Sequence, residues 1–287
     1  MLARDGYPAG VPCWVDIMQP DVDAAMAFYG ALFDWTFEVR TPEGAPRRYA
    51  YARRDGLVVA GLGGPPVATD PAGWTTYVWV GSVDETTALV EANGGRVISP
   101  PVDIPRAGRV AVCADPSGAV FGLWQAGENR GAELVNAPGS WNFSELNVVD
   151  PGPAASFYKA VFGWLSDPLQ MGPDQPVSMW RVAGYGEFLA ARDPELRSRQ
   201  EADQAPNGFA DAVALMQPIT PDLAAGASSH WSITFAVADA DAAFDQAIKL
   251  GANVVTPLFD TTYTRMGSIE DPQGATLTLS QYRPPER

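Results

Sequence analysis

The apolar run Cys13 to Met18 gives way to a helical spacing, with Ala25, Phe28, Tyr29, Leu32 and Phe33 at i, i+3, i+4, i+7 and i+8. The pattern predicts a short strand, a turn at Asp21, and an amphipathic helix over Val22–Phe33 whose first free amides Asp21 can cap. The same pattern returns from Asn142 to Trp164. A constant offset pairs Trp14 with Phe143, Asp16 with Glu145, Asp21 with Asp150, Phe28-Tyr29 with Phe157-Tyr158, and Trp35 with Trp164. A second repeat interleaves with it. WTTYVWVGSVD from Trp74 recurs as WSITFAVADAD from Trp231, and DPSGAVFGLWQ from Asp115 recurs as DPQGATLTLSQ from Asp271. Internal repeats of this kind set the architecture before any single element does.

Within the first repeat, strands are expected around Arg48–Arg53 and Leu57–Leu62, joined by the hairpin signal Asp55-Gly56. In the second they are expected at Thr75–Val80, Arg96–Ser99, Arg109–Ala114 and Ala119–Trp124. A helix over Asp84–Ala92 closes on Asn93-Gly94-Gly95, and the turn before the last strand is Asp115-Pro116-Ser117-Gly118. The later helices fall at about Ala154–Phe162 and Asp241–Leu250. The chain therefore reads as four βαβββ modules in an A-B-A′-B′ order, an α+β protein of two tandem domains. The first spans 8–127, with modules 12–64 and 74–126. The second spans 138–283, with modules 141–218 and 230–282. Residues Met1 to Val11 read as a loose arm and Gly63 to Gly73 as a linker. The second domain carries extra residues, placed at Arg192 to Pro206, either a solvated loop or a lid over a cleft.

Composition narrows the function classes. The 287 residues carry a formal net charge of −15, which argues against nucleic acid and anionic membranes as partners. No apolar run is long enough to span a bilayer, and MLARDGYPAGVP has no signal core, so a cytoplasmic monomer or homodimer is expected. Cys13 and Cys113 make neither a disulfide framework nor a metal cluster.

The paired modules, with FYxxxFxW after the first helix and DPxGxxxxLxQ on the last strand, resemble the vicinal-oxygen-chelate superfamily of glyoxalases, bleomycin-resistance proteins and extradiol dioxygenases. The tandem form is similar to an actinobacterial "hydroxylase" or glyoxalase-like branch. The resemblance implies two modules curled into one bent sheet per domain, a ligand on its concave face, and, in metal-dependent members, His, Glu or Gln ligands on the first strands and the closing strand. At those positions this chain has Trp14, Tyr77 and Gly122 in the first domain and Phe143, Thr234 and Thr278 in the second. None is a competent ligand for a divalent transition metal. The expectation is therefore no metal and no cofactor. The one histidine, His230, lies outside the aligned position.

Aromatic residues stand there instead. Side chains alternate along a strand, so Trp14 shares a face with Asp16, Tyr77 with Trp79, and Phe143 with Glu145. Tyr49, Tyr51 and Trp180 could add to the walls, or be core. Such clefts suit an aromatic or polycyclic small molecule. Asp16 and Glu145 are the acid–base candidates, because a carboxyl among aromatic side chains has its pKa raised. Their matched positions fit a structural role equally well. Thr234 with Ala236 leaves the second cleft roomier and favours Glu145. Arg109 and Arg265 could hold an anionic group or pair with an acid. Arg106 and Tyr263 occupy loops of the kind that tune ligand choice. The chemistry expected is metal-independent isomerisation, cyclisation or ring opening in polyketide-like antibiotic metabolism. A drug-sequestering resistance protein and an accessory to an oxygenase are the alternatives.

Overall fold

A computed structural model of the chain describes residues 3–65, 72–170, 176–219 and 228–284. Most of the linker expected at Gly63 to Gly73 lies outside the described residues. Each half forms one mixed sheet. The first contains β1 (Pro12–Met18), β2 (Thr36–Val39), β3 (Tyr49–Arg54), β4 (Leu57–Gly63), β5 (Gly73–Trp79), β6 (Arg96–Ile104), β7 (Gly108–Ala114) and β8 (Val120–Ala126). They stand in the order β2-β3-β4-β1-β5-β8-β7-β6. The second contains β9 (Ser140–Val148), β10 (Leu165–Gln170), β11 (Pro176–Arg181), β12 (Ala212–Pro218), β13 (His230–Ala236), β14 (Asn253–Asp260), β15 (Thr264–Glu270) and β16 (Thr276–Tyr282). Its order, β10-β11-β12-β9-β13-β16-β15-β14, repeats that of the first. The two modules of a half meet along their antiparallel first strands, with Trp14 beside Tyr77 and Phe143 beside Thr234. Each closing strand lies parallel to its neighbour, Gly122 beside Tyr77 and Thr278 beside Thr234. The chain is thus two tandem α+β domains, each with a sheet of eight strands among the described residues, as the repeat predicts.

The helices α1 (Val22–Phe33), α2 (Val83–Ala92), α3 (Pro151–Phe162) and α6 (Ala240–Lys249) follow the first strands of the four modules. Asp21 caps α1 by accepting from the Ala24 amide at 3.0 Å, and Asp34 ends it in the left-handed conformation. Asp150 caps α3 by accepting from the Gly152 amide, with Pro151 in the first turn, so α3 starts earlier than the expected Ala154.

The helix-covered faces of the two sheets turn toward each other and share one core. Cys13, Val15 and Ile17 of β1 are fully buried there, as are Ile233 and Phe235 of β13. Thr76 on β5 and Ser144 on β9 bond directly across the domains at 2.7 Å. The repeated aromatic motifs build this interface. Tyr29 Oη donates to Asp271 Oδ2 of the other domain at 2.7 Å and accepts from Trp74 Nε1 at 3.2 Å. The mirror set is Tyr158 Oη to Asp115 Oδ2 at 3.2 Å and Trp231 Nε1 to Tyr158 Oη at 2.9 Å. Trp35 Nε1 donates to the Gly139 carbonyl and Trp164 Nε1 to the Gly10 carbonyl. Both conserve the rule that a buried polar atom finds a partner.

Three expectations need correction. The N-terminal arm is docked, not loose. Gly10 N–H donates to the Trp79 carbonyl, Tyr7 is buried with its hydroxyl on the Ala132 carbonyl, and Arg4 bonds the Tyr185 hydroxyl of the second domain. The edge strand β2 has no sequence signal because it is only half covered, and β6 runs beyond Ser99 to Ile104 with a register break at its prolines. The extra segment placed at Arg192 to Pro206 is not a bare loop but holds α5 (Leu196–Ala202), and a further helix, α4 (Tyr185–Ala190), precedes it. No residue of α5 is buried, so no apolar stripe announces it.

Candidate active site on the open face of the second sheet

Period two turns Trp14 and Asp16 away from the core, toward the face that no helix covers. In the first domain this face is filled by its own side chains. The Tyr77 ring lies over Gly122 and the Tyr49 ring over Gly61 and Gly63, where any Cβ would collide with it. Tyr49 Oη donates to Asp16 Oδ2 at 3.0 Å and accepts from Trp14 Nε1 at 3.2 Å, and Tyr51 meets Trp14 edge-on at 5.6 Å. Asp16 is only 4% exposed and its Oδ1 finds no partner among the described residues. Burial raises its carboxyl to about 7, against the opposing pull of the Tyr49 and Tyr77 phenols. Trp79 packs on Tyr7 and stands beside Trp124, closing one end of the face.

The second domain has a different lining at the same register, with Thr234, Thr278 and Ser280 buried. Phe143, Thr234, Thr278 and Ser268 stand in one row across β9, β13, β16 and β15. Ala236 and Ser280 replace Trp79 and Trp124. Glu145 is half-buried beside this row, opposite Ser232 and next to Leu215. Its carboxyl has one side-chain partner among the described residues, Gln217 Nε2 at a long 3.4 Å. Burial alone raises it to about 7. Sequence reasoning missed Gln217 and Ser268. Gln217 carries no signal, whereas Ser268 could have been placed opposite Thr278 by counting back through the Asp271 turn.

The ligand positions implied by the family resemblance do not fit a metal. Trp14, Tyr77 and Gly122, or Phe143, Thr234 and Thr278, supply no imidazole, carboxylate or thiolate. Among the described residues no three His, Cys, Asp or Glu side chains gather around a common point. His230 is an exposed strand-end residue with Nδ1 2.9 Å from the Ser228 carbonyl oxygen.

Other expected site residues fall elsewhere. Trp180 faces the core, fully buried against Tyr158, Trp164 and Trp231, because β11 sets Met179 and not Trp180 on the face of Glu145. Arg109 is held by Asp84 and Asp103, and Arg265 by Asp241 and Asp260, so both serve as ion pairs tying a strand to the first turn of a helix. Arg106 sits exposed in the β6–β7 turn on Glu128.

Tyr263 acts through the extra segment. That segment leaves β11 and returns to β12, yet Tyr263 Oη, between β14 and β15, donates to the Gln204 carbonyl at 2.9 Å. Asp203 meets Tyr282, whose phenol is pushed up to about 12 by burial first and then by this carboxylate. Tyr282 shares the face of Thr278 and Ser280. The segment therefore bridges β12 to β15 and β16 at one end of the open face. The groove it lines, about 530 Å³ between Glu187, Arg197, Gln204 and Phe209, is polar and includes neither Glu145 nor Thr234.

Comparison with known proteins identifies the family. The Glyoxalase/Bleomycin resistance protein/Dioxygenase superfamily matches residues 13–123 and 142–279. The chain is 33% identical over 288 residues to the protein CFP32 of Mycobacterium tuberculosis, covering 99% of each. It is 33% identical over 292 residues to the anthracycline biosynthesis protein DnrV of Streptomyces peucetius, covering 96% of this chain and 95% of that one. The crystal structure of the Mn(II)-bound glyoxalase from Novosphingobium aromaticivorans superposes with a TM-score of 0.57 at 16% identity, over 95% of this chain and 82% of that one. Among the described residues no helix is long and apolar enough to cross a membrane. The chain belongs to the glyoxalase/bleomycin resistance/dioxygenase superfamily, as a tandem member.

Proposed function

We propose that this protein binds an aromatic or polycyclic small molecule on the open face of its second domain and transforms it by acid–base chemistry, without a metal. The observation that carries this reading is the state of Glu145. It is half-buried beside Phe143, raised to about 7 by burial, and held by little more than a long contact from Gln217. A carboxylate of that basicity is suited to take and return a proton near neutral pH. Asp16 has a similar pKa but lies under Tyr49, which binds it. Similarity to proteins named for anthracycline biosynthesis supports a polyketide-type ring system as substrate and a place in antibiotic metabolism.

The test is solvent-deuterium uptake by 2-tetralone, a bicyclic ketone with acidic C–H bonds, followed by NMR. The wild-type protein should accelerate it, and Glu145→Gln should lower the acceleration by about 10²-fold with no loss of melting temperature. Full activity in that variant removes Glu145 from the mechanism. Elemental analysis of the same unchelated sample completes the experiment. Stoichiometric Fe, Zn, Ni or Mn, lost on chelation together with the exchange, refutes the metal-free part.

A further inference from the structure

We propose that Thr234, backed by Thr278 and Ser268, is the hydrogen-bonding site for a ring oxygen of the ligand, a carbonyl, enol or phenol group; this rests on the second open face being the working site. Thr234 is 3% exposed, and its Oγ1 finds no hydrogen-bond partner among the described residues. A buried hydroxyl left unpaired bears its whole desolvation cost, and an isosteric valine would avoid it. Local rules broken in this way are expected where a site is kept for something else. The hydroxyl cannot be serving the core, because its neighbours Ile233 and Phe235 fill that side of β13.

The surroundings suit an oxygen. Thr278 is the direct partner of Thr234 on the parallel strand, and its Oγ1 lies 2.9 Å from Ser268 Oγ. A hydroxyl both donates and accepts, so the Ser268–Thr278 pair can turn one proton toward an oxygen arriving at Thr234. At the same register the first domain has Tyr77, Gly122 and Val112, with no aliphatic hydroxyl. Glu145 stands on the neighbouring strand, two residues beyond Phe143, the direct partner of Thr234. Diagonal neighbours of that kind are about 7–8 Å apart, within reach of a long side chain. An oxygen bound at Thr234 therefore directs the rest of a planar ring across Phe143 toward Glu145. The ligand class is a fused planar ring with oxygen on one edge. A purely hydrocarbon ring would leave the hydroxyl row unpaired.

The test is fluorescence titration of the full chain with 2-naphthol and with naphthalene, using wild type, Thr234→Val and Thr234→Ser, each checked for a melting temperature no lower than that of wild type. Wild type should prefer 2-naphthol by about tenfold or more. Thr234→Val should lose that preference to within about twofold while its naphthalene affinity stays the same, and Thr234→Ser should keep it. If Thr234→Val binds 2-naphthol as wild type does, or if both variants lose it alike, the hydroxyl has no such role and the inference falls alone. If wild type binds neither probe, the reading of the second face as an aromatic site falls with it.

Discussion

Asp16 and Glu145 occupy matched positions and have similar raised pKa values, yet their surroundings give them different roles. Asp16 lies beneath Trp14, Tyr49 and Tyr77, and its protonation bears on stability. Burial raises its folded-state value to about 7, whereas the unfolded chain releases the proton near pH 4. Its contribution to stability is fully present below that unfolded value and is lost as pH rises through about 7. Urea unfolding of wild type and Asp16→Asn between pH 4 and 8 should show wild type losing stability relative to the variant, by on the order of 2–4 kcal/mol. Parallel curves would mean that Asp16 is not the buried, perturbed group described. The carboxylates themselves were legible as a pair from the repeat. The Tyr49 hydroxyl that separates their roles was not, since Gly61 and Gly63 had no evident reason to be glycine until the ring was seen lying over them.

At the scale of elements, the extra segment of the second domain shows what binary pattern cannot reveal. The helix α4 buries Tyr185 and Gly186, whereas α5, in the extra segment itself, buries nothing and is held by surface ion pairs such as Arg197–Glu187 and Arg199–Asp193. Exposed pairs contribute little each, so the segment depends on its tether to Tyr263. Tyr263→Phe should increase amide hydrogen exchange over residues 196–208 by roughly tenfold, as expected for a lost net hydrogen bond, and leave the melting temperature within about 1 °C. Unchanged exchange there would show that the segment is held by its own contacts. The opposite error concerns Trp180. In the run Val177-Ser178-Met179-Trp180 apolar residues occupy both phases, so the alternation was ambiguous, and only the pairing of Met179 with Leu215 decided which face Trp180 takes.

At the scale of the molecule, the motifs that repeat most clearly are spent on joining the domains. Tyr29 reaches Asp271 and Tyr158 reaches Asp115, each with a tryptophan donating to the tyrosine oxygen. These buried bonds tie each helix to the closing turn of the other domain, so the halves should unfold together. Calorimetry should give one transition. Tyr29→Phe and Tyr158→Phe should each cost about 1–2 kcal/mol, or a few degrees in a chain of this size. Two resolved transitions in the wild type, or no effect of either substitution, would count against the interlock.

The sequence by itself determined the four modules, their order and the matched positions of their first and closing strands. Those follow from periodicity and residue type, which are local or repeat at fixed offset, and so can be counted along the chain. Tertiary structure alone decided which aromatic side chains line a face and which fill the core between the sheets. It also decided that the first face is closed by Tyr49 and Tyr77 while the second presents Glu145 beside the hydroxyls of Thr234, Thr278 and Ser268. The physical reason is that an aromatic residue gains by burial on either side of a strand. Its side is fixed by the strand next to it, and no pattern within its own segment records that neighbour.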